Sequence, residues 1–435
     1  MARALYSLLW FVVLPLALLR LWWRGRAEPG YRLHWAERFG VFPAAPETPC
    51  LWLHAVSLGE TNAAAPLIDG LLRALPGHAI VLTHTTATGR RAGAELAARH
   101  AGRLVQCWLP YDTPWYARRF LRHFRPRLGV VMETEVWPNL MHAAHAGGVP
   151  MVLANARLSA RSARGYARWR ALTRPAFAAF GQVLAQSQAD AARLAQCGAR
   201  AVQVSGNLKF DVAVDVQQLR EGEAWRARQG KPVIVAASTR EGEEELLLAA
   251  WKQVAQCSAL LVLVPRHPQR FAAVAAAARN AGYSVECKSA CGLETSANCQ
   301  VLVGDTVGEM ALYYGLADVV IMGGSLLDHG SQNFIEACAC GRPVVLGRST
   351  YNFALAAELA IAAGAAWQTP SAEPAASCRE AVQHALDVAS SPQQPALRQR
   401  ALQFVAMHRG ALARQLSAVL QALPAAPAAD RPAAH

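Results

Sequence analysis

The sequence predicts an α/β protein with two doubly wound parallel sheets in tandem, carried behind an apolar amino-terminal helix. Three observations predict it. Short apolar runs alternate with helix-length polar and apolar stretches from residue 50 to about residue 215, and the pattern restarts at residue 233; alternation of this kind marks parallel βαβ units. The chain has 435 residues, too many for one ordinary core, so two domains are expected. Residues 4–19 carry no charge.

Residues 1–26 are the expected membrane anchor. The apolar run reaches the ~20 residues of a spanning helix only by continuing through Arg20 to Trp23. Arg20 can snorkel, and Trp22 and Trp23 suit an interface. Arg20, Arg24, Arg26, Arg32 and Arg38 follow the run and only Arg3 precedes it, which places the body of the protein on the cytoplasmic side. No small-residue cleavage site follows, so a retained anchor is expected rather than a signal peptide. Pro15 also admits a kinked helix that only dips into the membrane.

A first domain is expected over residues 27–215, with strands at 51–54, 79–83, 104–108, 128–132, 151–154 and 183–186. The chain turns polar and charged after residue 212, and residues 216–230 are expected to form a linker. A second domain follows over residues 231–394, with strands at 233–237, 260–264, 301–303, 319–322 and 344–346. Residues 395–423 are expected to be helical and to pack back across both domains. Residues 424–435, rich in Ala and Pro, are expected to be disordered. Two such domains make a cleft, and ligands bind beyond the carboxyl ends of the strands at topological switch points.

Composition narrows the function. The net charge is +13, and all but four of the basic residues are arginine; such a surface suits nucleic acid, anionic lipid or a phosphorylated substrate. No zinc-finger spacing or RNA-binding aromatic signature is present, which weighs against nucleic acid. The ten cysteines are scattered. Cys287 and Cys291, and Cys338 and Cys340, lack a second pair at metal-ligand spacing, so reduced thiols and no metal site are expected. There is no Walker A pattern, and no Gly-x-Gly-x-x-Gly heads either domain, which argues against a P-loop enzyme and a dehydrogenase.

Polar residues gather where strands should end. Residues 51–60, Leu-Trp-Leu-His-Ala-Val-Ser-Leu-Gly-Glu, read as a buried strand, a tight turn and a helix opening at Glu60. A carboxylate at that rim is a candidate general base. Glu133 and Glu135 follow the fourth strand and share a face if that strand continues. Paired carboxylates shift each other's pKa or take a cation between them, and Lys209 is such a cation. In the second domain, Pro265-Arg266-His267-Pro268 offers a guanidinium that can clamp a phosphate. Gly323-Gly324-Ser325 lets backbone amides approach one. Each has a plainer reading: a carboxylate serving the helix dipole, an arginine in a proline-framed turn, hydrogen-bonded structural histidines at His54 and His267, and packing tryptophans at Trp108, Trp115 and Trp137.

The chain resembles the 3-deoxy-D-manno-octulosonic acid (Kdo) transferases of lipid A core biosynthesis. The likeness runs through the Arg-Leu-Trp-Trp-Arg-Gly-Arg exit of the anchor, residues 31–40 (Tyr-Arg-Leu-His-Trp-Ala-Glu-Arg-Phe-Gly), and residues 54–60, 132–140, 155–162, 207–211, 265–270 and 304–309. The resemblance implies two Rossmann-like domains facing a cleft, the GT-B glycosyltransferase fold, at the bacterial inner membrane with both domains on the cytoplasmic side. It implies a CMP-Kdo donor, an acylated, phosphorylated glucosamine disaccharide acceptor, an anionic membrane surface as partner, and no cofactor. Carried over by position, Glu60 matches the general base, and Glu133 and Lys209 match residues that stabilise the transition state. Pro265 and Arg266, then Val307, Gly308 and Glu309, then Asn333, Phe334, Ile335 and Glu336 match the segments that hold CMP. The chain departs from the family where a Gly-Gly-His-Asn row reads Gly330-Ser331-Gln332-Asn333, where Gly-Pro-His reads Gly347-Arg348-Ser349, and where a Met is Val307. A serine at a positive-φ glycine position restricts the backbone, and Gln332 donates a hydrogen bond without charge. The competing readings are a GT-B transferase for another nucleotide sugar and a membrane-tethered binding protein without catalysis.

Overall fold

The computed structural model describes residues 1–254 and 259–425. It divides into two compact units, Met1–Asp211 with Arg409–His435, and Val212–His408. The end of the tail expected to be disordered, from residue 426, lies outside the described residues.

Each unit is built on one seven-stranded sheet in which every pairing is parallel. The first holds β1 (Cys50–His54), β2 (Ala79–His84), β3 (Leu104–Trp108), β4 (Gly129–Met132), β5 (Met151–Ala156), β6 (Gln182–Ala185) and β7 (Val202–Val204), in the order β3-β2-β1-β4-β5-β6-β7. The second holds β8 (Val233–Thr239), β9 (Leu260–Pro265), β10 (Val285–Cys287), β11 (Val301–Val303), β12 (Val319–Met322), β13 (Val344–Leu346) and β14 (Ala366–Gln368), in the order β10-β11-β9-β8-β12-β13-β14. The inner strands are near-continuous apolar runs because helices cover both faces of a parallel sheet. β1 is buried along its whole length, and the Trp52 indole donates to Thr83 Oγ1 at 2.9 Å. The strand order reverses between β1 and β4 and again between β8 and β12, which puts a ligand crevice at those points in each sheet.

Three strands were not among those expected. β7, β10 and β14 are three-residue edge strands with part-exposed side chains, so no buried run announces them. The expected linker at 216–230 is instead mostly a helix, Val216–Ala227, inside the second unit. Its polar composition hides a packed face. Trp225 is buried, and Gly222 lies so close to the helix Met310–Leu316 that a Cβ would collide with the Leu312 carbonyl oxygen. Arg226 adds a 2.8 Å ion pair to Asp318. The expected carboxyl-terminal segment is two helices, Gln394–His408 in the second unit and Ala411–Ala422 in the first. They break at Gly410, whose φ of 90° only glycine adopts cheaply. Asp211 caps the second of them by accepting from Gly410 N at 2.7 Å and Leu412 N at 2.6 Å.

The apolar helix α1 (Ala2–Ala27) is present and continuous through Pro15. It is long and apolar enough to cross a membrane. The motif at residues 31–40 serves the fold. Glu37 is buried and accepts from Arg90 and from Trp108 N, and Arg38 lies 3.9 Å over the Trp108 ring.

Candidate active site

The turn after β1 delivers Glu60 into the first turn of α2 (Leu58–Ala74). Ser57 caps that helix through Glu60 N at 3.3 Å. The Glu60 carboxylate reaches back, accepting from Val56 N at 2.8 Å and from Ser57 Oγ at 3.1 Å. The carboxylate bonds the amide before the cap rather than that of the cap itself, a variant of the capping box, so the structural reading of Glu60 as a helix-terminal carboxylate holds as geometry. The same contacts fix its orientation. Burial pushes its pKa up to about 7, the Val56 amide opposes this, and the charges of Glu133 and Glu135 push it further up. Glu135 is likewise raised to about 7 by burial and by Glu133. A carboxylate that titrates near neutrality at a sheet switch point is suited to accept a proton.

Glu133 does not share a strand face with Glu135. β4 ends at Met132, and Glu133 takes a left-handed conformation with φ 55°, its amide bonded to the Ala154 carbonyl at 2.9 Å. A non-glycine residue held there stores strain, and such residues cluster at functional sites. From this turn the charge of Glu133 is felt at both Glu60 and Lys209. Burial lowers the Lys209 pKa, while Glu133 and Glu60 raise it and Arg157 lowers it. Glu60, Glu133 and Lys209 therefore form one electrostatic cluster along the carboxyl edge of β1 and β4.

Two buried amides brace the backbone beside Lys209, and sequence reasoning did not single them out for that. Asn155, next to last in β5, takes φ 49°, and its Oδ1 accepts from Leu208 N at 3.1 Å, beside Lys209. Gln415, buried on the helix Ala411–Ala422, accepts from Asn155 N at 2.9 Å and donates to the Gly206 carbonyl at 3.1 Å. No local pattern could have found Gln415, since its partners lie more than 200 residues away.

In the second unit, Pro265 ends β9 and Arg266 follows, exposed. Glu336 sits near enough for Arg266 to oppose the rise that burial imposes on its pKa, and Asn333 Nδ2 donates to Glu336 at 2.8 Å. Arg266, Asn333 and Glu336 thus come together. Phe334 and Ile335 do not join them with their side chains, which are fully buried in the core. Val307 is 74 % exposed, Gly308 has φ 82°, and Glu309 is paired with Lys288 at 2.8 Å. Ser331 takes φ 70° and Gly330 φ 78°, so the serine occupies a left-handed position that suits glycine. The glycine loop after β12 is organised by Glu243. This fully buried carboxylate accepts from Gly324 N at 2.7 Å, Arg240 N at 2.8 Å and Leu326 N at 3.1 Å. His54 and His84 are buried and held neutral, burial lowering them to about 3 and about 4, so His54 is a core residue.

Two parallel seven-stranded sheets with polar clusters at both switch points define a protein of the GT-B class. The chain shares its fold with a solved glycosyltransferase from Rickettsia africae, at a TM-score of 0.52 and 12% identity, over 87% of this chain and 99% of that one. Residues 33–212 match the family model described as 3-Deoxy-D-manno-octulosonic-acid transferase (kdotransferase). A 3-deoxy-D-manno-octulosonic acid transferase from Bordetella pertussis is 47% identical over 96% of this chain and 99% of its own length. One from Haemophilus influenzae is 35% identical over 81% of this chain and 84% of its own. The chain belongs to the Kdo transferase family and is a glycosyltransferase.

Proposed function

We propose that this enzyme transfers Kdo from CMP-Kdo to the acylated glucosamine disaccharide bisphosphate that precedes lipid A, on the cytoplasmic side of the bacterial inner membrane. The observation that carries the proposal is Glu60, an oriented carboxylate raised to about 7 beside Glu133 and Lys209 at the sheet switch point. Family membership at 47% identity to a Kdo transferase supports the donor and the transferred sugar.

In this reading Glu60 removes the proton from an acceptor hydroxyl. The oxygen forms a bond to the anomeric carbon of Kdo, and the bond from that carbon to the phosphate oxygen breaks, CMP leaving with the electron pair. Lys209 and Glu133 hold charge around the reacting sugar. Arg266, with the backbone at Gly308, meets the phosphate of CMP, and Asn333 and Glu336 position the rest of the nucleotide. The arginine-rich first unit suits an acceptor with two phosphates at an anionic surface, and α1 is consistent with membrane association.

Thermal unfolding with CMP, UDP and GDP tests the donor, because a ligand at 100 times its Kd stabilises by about 2.7 kcal/mol. CMP alone should raise the midpoint. A larger rise with UDP or GDP would favour another nucleotide sugar.

A further inference from the structure

Both ends of α1 are seated on the first unit. Toward its start, Ser7 Oγ donates to Asn139 Oδ1 at 3.0 Å, and Trp10 packs on Tyr111 with ring centroids 5.7 Å apart. At its other end, Gly25 is buried against Arg32, Arg32 Nη2 donates to the Trp22 carbonyl at 2.8 Å, and Arg24 covers the Tyr31 ring at 4.6 Å. Tyr31 is itself buried and stacks on Trp108 of β3. The 26 residues of α1 span ~39 Å at 1.5 Å per residue. A helix crossing a hydrocarbon core ~30 Å thick leaves one end on the far side. Here both ends rest on the same body.

The faces of α1 divide accordingly. Tyr6, Ser7, Trp10, Leu14, Leu21 and Gly25, at three- and four-residue spacing, are at least partly covered. Leu5, Leu8, Val12, Leu16, Leu19 and Trp23 are exposed on another stripe. Charge names the occupant of that stripe. α1 contains no acidic residue, and its end carries Arg20, Arg24 and Arg26. The first unit has no acidic residue between Glu135 and Asp190, a stretch that includes Arg157, Arg161, Arg164, Arg168, Arg170 and Arg174.

We propose that α1 lies in the plane of one leaflet of an anionic bilayer and does not cross it. The exposed stripe sits among the acyl chains and the arginines among the headgroups. Tyr111 and Asn139, which α1 touches, follow β3 and β4 at the same sheet edge as Glu60 and Glu133. The leaflet is thereby brought to the edge of the sheet that carries the candidate base, where a lipid acceptor arrives without leaving the membrane. This placement rests on the reading of α1 as the membrane element.

The test is Ala2→Cys in the full chain, with a membrane-impermeant maleimide applied to intact spheroplasts and to inverted inner-membrane vesicles. The signal is labelling above that of the unsubstituted protein, which accounts for the native cysteines. Loss of that increment on spheroplasts, with the increment present on inverted vesicles, is the expected result. Labelling on spheroplasts puts the start of α1 outside and overturns the in-plane placement, leaving the membrane reading intact. Recovery of the protein in the soluble fraction overturns the membrane reading itself.

Discussion

Replacing Glu60 with glutamine should make the protein more stable and inactive at once, and the gain should depend on pH. In the folded protein the Glu60 pKa is raised from 4.5 to about 7, chiefly by burial. Below pH 4.5 the carboxyl is protonated in both the folded and the unfolded chain, and it costs nothing. As pH rises through 4.5 the unfolded chain releases its proton first, so stability falls, and the cost is complete above pH 7. The gap corresponds to at most about 3 kcal/mol. Glu60 is only half-buried and part of the shift comes from Glu133 and Glu135, so about 1–3 kcal/mol is expected. A glutamine keeps an acceptor for Val56 N and carries no charge. Glu60→Gln should therefore raise the unfolding midpoint at pH 8 by roughly 3–8 °C for a unit of this size and leave it nearly unchanged at pH 4. Transfer should fall by about 10²–10⁴-fold. Calorimetry at the two pH values reads the first effect and product formation the second. A loss of stability at pH 8, or the same gain at both pH values, would refute the claim that a desolvated, ionisable Glu60 is held against its own preference.

Gln415→Leu should leave Asn155 N and the Gly206 carbonyl unpaired, at about 1–3 kcal/mol for each buried group. A lower unfolding midpoint with a reduced turnover rate is expected, and an unchanged rate would remove Gln415 from the support of Lys209. Ser331→Gly should relieve a left-handed serine, a strain of about 1–2 kcal/mol partly offset by the greater unfolded-state freedom of glycine. Denaturant titration should show a gain of up to about 1 kcal/mol; a loss would mean that the serine hydroxyl carries more than its bond to the Gln332 carbonyl. Arg266→Ala should weaken CMP inhibition by about 10–100-fold, the worth of a charged hydrogen bond, with little change in acceptor KM. Equal loss of both would point to a damaged fold.

The inner strands were legible because burial on both faces forces continuous apolar runs, as in residues 51–54 and 260–264. The edge strands β7, β10 and β14 were not, since three part-exposed residues leave no such mark. The helix Val216–Ala227 was missed for a related reason. Its packing depends on Gly222 meeting another backbone, which a polar window conceals. Among candidate site residues, Glu60, Glu133 and Lys209 stand out in the sequence because charged side chains at strand ends are hard to explain by packing. Their geometry was less legible: alternation put Glu133 and Glu135 on one strand face, whereas a left-handed turn ends the strand first. Phe334 and Ile335 came by position within a motif, and their side chains are buried in the core. Gln415 and Glu243 act through contacts distant in sequence, which no local pattern reports.

The most direct measurement is a single turnover of purified full-length protein with labelled CMP-Kdo and acylated glucosamine disaccharide bisphosphate, run beside Glu60→Gln. The wild type should release one CMP per Kdo attached to lipid. The variant should bind CMP without forming product. Failure of the wild type to form the Kdo-lipid bond would contradict the proposed reaction, and a variant rate near that of the wild type would contradict Glu60 as its base.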